Sequence, residues 1–208
     1  MNLYGTEYGL PRAIGRALRL DDEAERKLLA VAEQPLQDII VLMRDTGMRN
    51  GRELYRMRIE HIDWNNRVIF NPSSKTKKGR RFIPMSDRVL DILLVRCAGR
   101  KEGWVFPSRH KGKHITGGLV NKQWVKARTK AGLPEGLVLY CARHDFGTYV
   151  LQKTGNIAAV MNTMGHSDVK TAMVYQHPEL NLVREAINAR SLAGNSGHVL
   201  GHRSERPN

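Results

Sequence analysis

The sequence predicts a mainly α-helical domain with a small antiparallel β-sheet, an α+β fold. Apolar residues recur at the i, i+3, i+4 and i+7 spacing of a helix over much of the chain, most regularly in residues 36–43. Two short β-prone runs, at residues 67–70 and 81–84, enclose a segment rich in Pro, Ser, Gly and Lys, which is typical of a hairpin. The length of 208 residues is enough to bury the core of one such domain.

The first helices are predicted from their start and stop signals. Acidic residues 21–23 open a helix, because carboxylates stabilise the positive end of the helix dipole, and Pro35 interrupts it. A second helix follows and ends at Gly47, a residue type that commonly terminates helices. Residues 53–58 suggest a third helix. Arg49 therefore lies in a tight junction between two helices.

The chain beyond the hairpin is predicted to be largely helical. Residues 86–98 and 116–130 have amphipathic helical patterns, and the short apolar run 104–106 suggests one more strand. From Leu139 onward, breaks divide the chain into four short helices. The breaks are expected at Thr154-Gly155, Gly165-His166-Ser167 and His177-Pro178.

Composition divides the chain into a domain and two flanking segments. Residues 1–20 mix Gly, Pro and Arg without periodicity and are interpreted as a linker or arm. Residues 193–208 are polar and rich in Gly and Ser, which predicts a disordered tail. The folded domain is therefore predicted over residues 21–192.

The charge of the chain predicts a polyanionic partner. Lys and Arg number 34 against 20 Asp and Glu, a formal net charge of +14. Nucleic acid is the commonest such partner, although acidic membranes and acidic proteins fit the composition equally well. No stretch reaches the roughly 18 apolar residues of a membrane span, and the N-terminus carries no signal peptide. We therefore expect a soluble cytoplasmic protein, or one associated with the nucleoid of a bacterium.

The two cysteines, Cys97 and Cys141, have no CxxC partner and lie within apolar stretches. This context predicts buried, reduced thiols rather than a disulfide or a metal pair. The histidines also lack the spacing and company of a metal site, so we predict neither a metal nor another cofactor.

Four segments in a fixed order resemble the phage integrase family of tyrosine recombinases. They are Thr46 to Gly51, Arg143-His144, Met164 to Ser167, and Tyr175. Each fragment alone is weak, so the specificity lies in the ordered set, which covers roughly residues 21–190. The resemblance implies the catalytic-domain fold of DNA breaking and rejoining enzymes. It also implies site-specific DNA recombination or integration through a 3′-phosphotyrosine intermediate.

The resemblance implies a role for each of these residues, and elementary chemistry supports the roles. Tyr175 is the implied nucleophile, and with an ordinary pKa of about 10 a tyrosine needs nearby cations or a base to attack. Arg49 and Arg143 would bind the nonbridging phosphate oxygens, because a guanidinium is always charged and matches phosphate bidentately. His166 can donate or accept a proton near neutral pH.

The hairpin loop is implied to supply the remaining catalytic group. The family protonates the leaving 5′ oxygen with a lysine of this loop, which is Lys75 here, with Lys77 and Lys78 as neighbouring candidates. Contacts with DNA phosphates are expected from Lys77, Lys78, Arg80 and Arg81.

The sequence departs from the family pattern in two places. Tyr140 stands three residues before Arg143, where the family usually has a histidine. The phenol of Tyr140 can donate a hydrogen bond to the phosphate at the catalytic site, as an imidazole does. It cannot supply a second proton-transfer group near neutral pH, which predicts slower or differently pH-dependent activity. The family also often has an acidic residue three positions after the first arginine, whereas here Arg52 stands there and Glu53 follows. An extra residue in the turn, or a different partner for the arginines, would explain this shift.

The resemblance also implies partners. They are duplex DNA, cupped on one face by the basic loops, and three further protomers that exchange strands on two DNA sites through a Holliday junction. Residues 179–190 are the candidate helix donated to a neighbour. About 20 residues precede the first predicted helix, too few for the family's N-terminal clamp domain. We therefore expect a fragment or a truncated member, which in isolation could be monomeric and bind DNA weakly.

Two other functions remain open at the level of sequence. A type IB topoisomerase-like enzyme would use the same phosphotyrosine step to relax supercoils without a partner site. A noncatalytic DNA-binding protein derived from a recombinase would keep salt-dependent binding without forming a covalent adduct.

Overall fold

The computed structural model describes residues 18–72 and 80–166. The structure confirms the predicted fold class, because helices enclose one three-stranded antiparallel sheet of order β1-β2-β3. None of the helices in these two ranges is both long and apolar enough to cross a membrane. The helices are α1 (Asp22–Leu29), α2 (Leu36–Thr46), α3 (Asp87–Cys97), α4 (Gly117–Lys130), α5 (Cys141–Thr154) and α6 (Ile157–Met164), and the strands are β1 (Ile62–Asp63), β2 (Val68–Asn71) and β3 (Arg81–Pro84).

Helix α2 lies at the centre of the core. It contacts α1, α3, α4 and α5. Its residues Leu36, Ile39, Ile40, Leu42 and Met43 are all fully buried. A helix that is apolar around most of its circumference is stable only when other elements surround it. The loop that follows α2, which carries Arg49, is therefore anchored to the most buried element of the domain.

The sheet turns one face to the core and the other to solvent. Ile69 of β2 pairs with Ile62 of β1 and with Ile83 of β3, and all three side chains are buried. Side chains alternate between the two faces of a strand, so Phe82 lies on the opposite face and is 66% exposed. The predicted hairpin is confirmed. Strand β1 was not predicted, since two residues are too short to show a periodicity.

Two predicted elements are wrong. Residues 53–58 do not form an α-helix but only a 3-10 turn at Leu54–Arg56, because the backbone is already extended at Met57 and Arg58. Residues 104–106 form no strand, since only Trp104 pairs, in an isolated bridge with Arg58. The apolar run at 104–106 reflects burial of single side chains in the core rather than a place in the sheet.

A network of ion pairs fixes α5 against the N-terminal helices. Asp145 of α5 accepts from Arg19 at 2.9 Å and from Arg44 of α2 at 2.8 Å. Arg44 also pairs with Asp22 and Glu25 of α1. The side chains of Arg44, Glu25 and Asp145 are at most 9% exposed, whereas Asp22 is exposed, and the opposite charges offset part of the cost of burial. The network holds the helix that carries Arg143. The predicted boundaries at residues 20 and 192 stay predictions, since residues 1–17 and 167–208 lie outside the described ranges.

Both cysteines are free and buried, as predicted. Cys97 lies at the end of α3 and Cys141 at the start of α5. Burial raises the pKa of both thiols, since it disfavours the thiolate. Both side chains therefore act as small apolar groups of the core.

Gly47→Ala tests how α5 packs against the end of α2. Gly47 has a φ of +62°, and a Cβ there would lie 2.5 Å from Cδ1 of Phe146. Gly155 has a φ of +61°, but a Cβ there would meet no described atom within 4 Å. We expect Gly155→Ala to lower the free energy of unfolding by about 1 kcal/mol, the cost of the backbone conformation. Gly47→Ala should cost about 1–3 kcal/mol more, because Phe146 must move. Urea unfolding measures both variants, and equal losses would contradict the packing argument.

Candidate active site

Three of the predicted site residues come together from three separate segments. Arg49 follows α2, Arg143 lies in the first turn of α5, and His166 follows α6. Nη2 of Arg143 lies 3.1 Å from Nε2 of His166. The same guanidinium donates to the carbonyl oxygens of Gly47 and, at 2.7 Å, of Met164. Arg143 therefore joins the two loops that carry the other site residues.

The buried charge of Arg143 is stabilised by the ends of two helices. Its side chain is fully buried. Gly47 is the C-terminal cap of α2, and Met164 is the last residue of α6. Carbonyl groups at the C-terminus of a helix have no partner within the helix and carry the negative end of its dipole. The ends of α2 and α6 thus supply hydrogen-bond acceptors to the buried guanidinium of Arg143.

His166 is neutral in this arrangement. A guanidinium has donors only, so Nε2 of His166 must accept from Arg143, which places the ring proton on Nδ1. Burial lowers the pKa of His166 to about 3, helped by the nearby charges of Arg143 and Arg49. At neutral pH the ring is therefore not an imidazolium, and its Nε2 lone pair is bonded to Arg143.

Glu53 is the carboxylate that fixes Arg49. It is 3% exposed and accepts from the backbone N of Arg49 at 2.9 Å and from its Nη1 at 2.8 Å. Arg81 adds bonds from Nη1 at 3.2 Å and from Nη2 at 2.9 Å. Burial alone would raise the pKa of Glu53, but the hydrogen bond and charge of Arg81 and the charge of Arg143 outweigh it and lower that pKa. Glu53 is thus the acidic partner of Arg49. It lies four positions after this arginine, one more than is usual in the family pattern.

The two arginines differ in their access to solvent. The side chain of Arg49 keeps 26% of its surface exposed, whereas Arg143 has none. A ligand that approaches from solvent therefore meets the guanidinium of Arg49 first.

Arg80 and Arg81 face opposite ways, although both were predicted to contact DNA phosphates. Arg80 is exposed, which suits that prediction. Arg81 is 7% exposed; besides its bonds to Glu53, its Nε donates to the carbonyl of Thr163 at 2.6 Å. The side chain of Arg81 therefore points into the domain, away from solvent. The signal that could have found this is the alternation of a strand, which puts Arg81 on the same face as the buried Ile83.

Position 165 requires a glycine because the guanidinium of Arg81 lies against it. The φ of Gly165 is +68°, and a Cβ there would lie 2.9 Å from Nη1 of Arg81. The glycine that precedes His166 therefore both ends α6 and leaves room for the guanidinium.

Tyr140 caps the N-terminal end of α5, three residues before Arg143. Its half-buried ring lies 5.2 Å from the ring of His144, in an edge-on arrangement. Burial, followed by the charge of Arg143, lowers the pKa of His144 to about 4. His144 is therefore a neutral ring packed beneath Tyr140.

The other predicted site residues cannot be placed. Tyr175 and the lysines of the hairpin loop, Lys75, Lys77 and Lys78, lie outside the described residues and stay predictions. Within residues 18–72 and 80–166, no group of three or more His, Cys, Asp or Glu side chains is arranged to hold a metal ion.

Comparison with known proteins gives consistent matches. The sequence model of the phage integrase family matches residues 18–181. The integrase of Escherichia phage P2 is 30% identical over 175 residues, which are 84% of this chain and 47% of that protein. Tyrosine recombinase XerC of Psychromonas ingrahamii is 27% identical over 165 residues, which are 76% of this chain and 53% of that protein. The chain thus spans about half the length of the curated relatives it matches.

A solved structure shares the fold. The Tn1549 transposon integrase in complex with a circular intermediate DNA has a TM-score of 0.68 and 22% identity to this chain. The match covers 88% of this chain and 68% of that one. The predicted recombinase catalytic-domain fold is confirmed.

The buried His166 and the partly buried His144 predict a loss of stability in mild acid. An unfolded histidine has a pKa of about 6.5, whereas the folded pKa values are about 4 for His144 and about 3 for His166. The unfolded state therefore binds more protons as the pH falls below about 6.5, and stability present above that pH is progressively lost. Urea unfolding between about pH 7 and pH 5 measures this before most carboxylates titrate. The double variant His144→Gln/His166→Gln should flatten the dependence; an unchanged slope would contradict the assignment.

Proposed function

Because this chain belongs to the phage integrase family, we propose that it cuts and rejoins DNA strands, with Tyr175 as the nucleophile. The observation that carries the proposal is the cluster of Arg49, Arg143 and His166, which three separate segments bring together. A phosphodiester gains negative charge as a nucleophile attacks it, so preorganised cations and donors stabilise the transition state. The net charge of +14 further favours a DNA partner.

The proposed reaction is a pair of transesterifications. The phenolic oxygen of Tyr175 bonds to phosphorus while the bond from phosphorus to the 5′ oxygen breaks. The phenolic proton passes to a base, for which we propose His166 once Arg143 turns to the phosphate and frees Nε2. The 5′ oxygen leaves with a proton from Lys75. A 5′ hydroxyl then attacks the phosphotyrosine and reverses these steps. The covalent bond to Tyr175 conserves the energy of the cleaved bond.

We propose that Arg49 makes the first contact with the phosphate. Its side chain is partly exposed, whereas Arg143 is buried and donates to the carbonyls of Gly47 and Met164. In this scheme Arg143 reaches a phosphate oxygen only by exchanging one of these bonds. Its resting role is to keep His166 neutral and oriented.

The proposed partners follow from family membership. They are double-stranded DNA and, on paired DNA sites, three further copies of the protein, with residues 179–190 docked on a neighbour. The structural relative from Tn1549 is in complex with DNA. We propose that this chain acts on chromosomal or phage DNA in the bacterial cytoplasm.

Trapping the covalent intermediate tests the nucleophile. Nicked suicide substrates that span candidate sites let the 5′ fragment escape, so a protein-DNA adduct accumulates and survives denaturation. We expect the adduct with the parent protein and with Tyr149→Phe, an exposed tyrosine on α5 that serves as the matched control. Tyr175→Phe should give none. An adduct with Tyr175→Phe would point to another nucleophile, and no adduct on DNA that binds would favour a noncatalytic DNA-binding protein.

Position 140 tests the departure from the family pattern. Tyr140→His restores a group that transfers protons near neutral pH, so we expect single-turnover adduct formation to rise by at least about tenfold. Tyr140→Phe removes the hydroxyl donor and should lower the rate. Equal rates for the three proteins between about pH 6 and pH 9 would show that this side chain does not act on the phosphate.

A further inference from the structure

Arg81 joins three parts of the candidate active site. Its guanidinium bonds both carboxylate oxygens of Glu53, and its Nε donates to the carbonyl of Thr163 in α6. We propose that Arg81 is a positioning residue that fixes Arg49 and His166 relative to the β2–β3 hairpin and makes no contact with DNA. This inference rests on the proposed function, since it concerns the geometry of the same site.

The first link runs through Glu53 to Arg49. Oε1 of Glu53 accepts from Nη1 of Arg49 at 2.8 Å and from Nη1 of Arg81 at 3.2 Å. Oε2 accepts from the backbone N of Arg49 and from Nη2 of Arg81, each at 2.9 Å. Each oxygen is thus shared between the two arginines. Without Arg81, half of these bonds are lost, and the carboxylate is free to turn together with Arg49.

The second link runs to His166 through the end of α6. The bond from Nε of Arg81 to the carbonyl of Thr163 is 2.6 Å long. The guanidinium also lies so close to Gly165 that a Cβ there would be 2.9 Å from Nη1. Arg81 therefore contacts the two residues on either side of Met164, whose carbonyl binds Arg143. The backbone that leads into His166 is set by these contacts.

The third link runs to the hairpin loop. Arg81 is the first residue of β3 and pairs with Asn71, the last residue of β2. The loop that carries Lys75 lies between these two residues. A shift of the hairpin stem would therefore carry Arg81 with it and disturb Glu53. The proposed proton donor and the proposed phosphate-binding arginine are thus coupled through one side chain.

Only an arginine has the side-chain donors for the first two links. The planar guanidinium presents Nε and both Nη atoms in a fixed fork, which allows a bidentate bond to a carboxylate and a separate bond along the side chain. A lysine would keep the charge but replace this fork with a single point donor.

DNA binding separates positioning from phosphate contact. Arg81→Gln and the neighbouring Arg80→Gln each remove one positive charge. If the exposed Arg80 contacts a phosphate, its loss should reduce the slope of log affinity against log salt by about 0.9. We expect Arg81→Gln to leave that slope unchanged. A reduced slope for Arg81→Gln as well would overturn the proposal.

The cleavage rate and the state of Arg49 complete the test. On a suicide substrate that the parent protein cleaves, we expect Arg81→Gln to slow adduct formation by about 100-fold, the scale of a 1 Å misplacement. Arg81→Lys should not restore the rate. In protein without DNA, the guanidinium N–H signals of Arg49 in a 15N NMR spectrum should exchange faster with solvent in Arg81→Gln. Arg96→Gln, which breaks the remote ion pair with Asp38, is the control and should leave those signals unchanged.

These measurements distinguish the two proposals. If the parent protein forms no adduct, the proposed function fails, and the NMR and salt measurements still decide the role of Arg81. Unchanged Arg49 signals in Arg81→Gln would overturn the inference. If Arg81→Gln does not fold, the variant Glu53→Gln/Arg81→Gln removes both charges and leaves no buried carboxylate unpaired. It should cleave at the rate of Glu53→Gln alone, and a further loss would contradict action through Glu53.

Discussion

A carboxylate buried in this domain must be matched by positive charge, because an unpaired buried ion costs several kcal/mol. Glu53 meets this condition by sharing each of its oxygens between Arg49 and Arg81. The two arginines come from different elements, the loop after α2 and the strand β3. The loop and the hairpin stem are thus held in one relative position. The charge balance of Glu53 therefore fixes the position of Arg49 relative to the hairpin.

Arg143 is a buried cation held by uncharged acceptors. Its acceptors are the carbonyls of Gly47 and Met164, at the ends of α2 and α6, together with the ring of His166. Backbone carbonyls cannot be titrated, so this environment stays the same over the whole physiological pH range. The glycines at positions 47 and 165 allow the chain to turn away sharply after each helix. The segments that end α2 and α6 thus also supply the acceptors for Arg143.

The sequence predicted the elements with strong periodicity and clear stop signals, and it missed those that depend on side-chain contacts. Helix α2 and its end at Gly47 follow from local patterns, as do the β2–β3 hairpin and the fold class. The 3-10 turn at Leu54–Arg56 could not be predicted in this way. Glu53, which precedes the turn, is held by Arg49 and by Arg81, and the contact with Arg81 spans 28 residues of sequence. The ordered motifs identified Arg49, Arg143 and His166 as a set. A run of basic residues does not by itself show which side chain points inward. Arg80 and Arg81 could therefore not be distinguished from the run of basic residues alone.

The alternation of β3 limits how the hairpin can change during evolution. Arg80 and Arg81 are neighbours in sequence, yet one is exposed and the other is buried against Glu53. Inserting or deleting one residue within β3 would reverse which side chains face inward, and would bring Phe82 or Arg80 into the place of Arg81. Within the hairpin, changes of length are therefore better accommodated between residues 72 and 80 than within β3. Relatives of this protein should vary in the length of that loop while keeping a fixed spacing from Arg81 to the end of the strand.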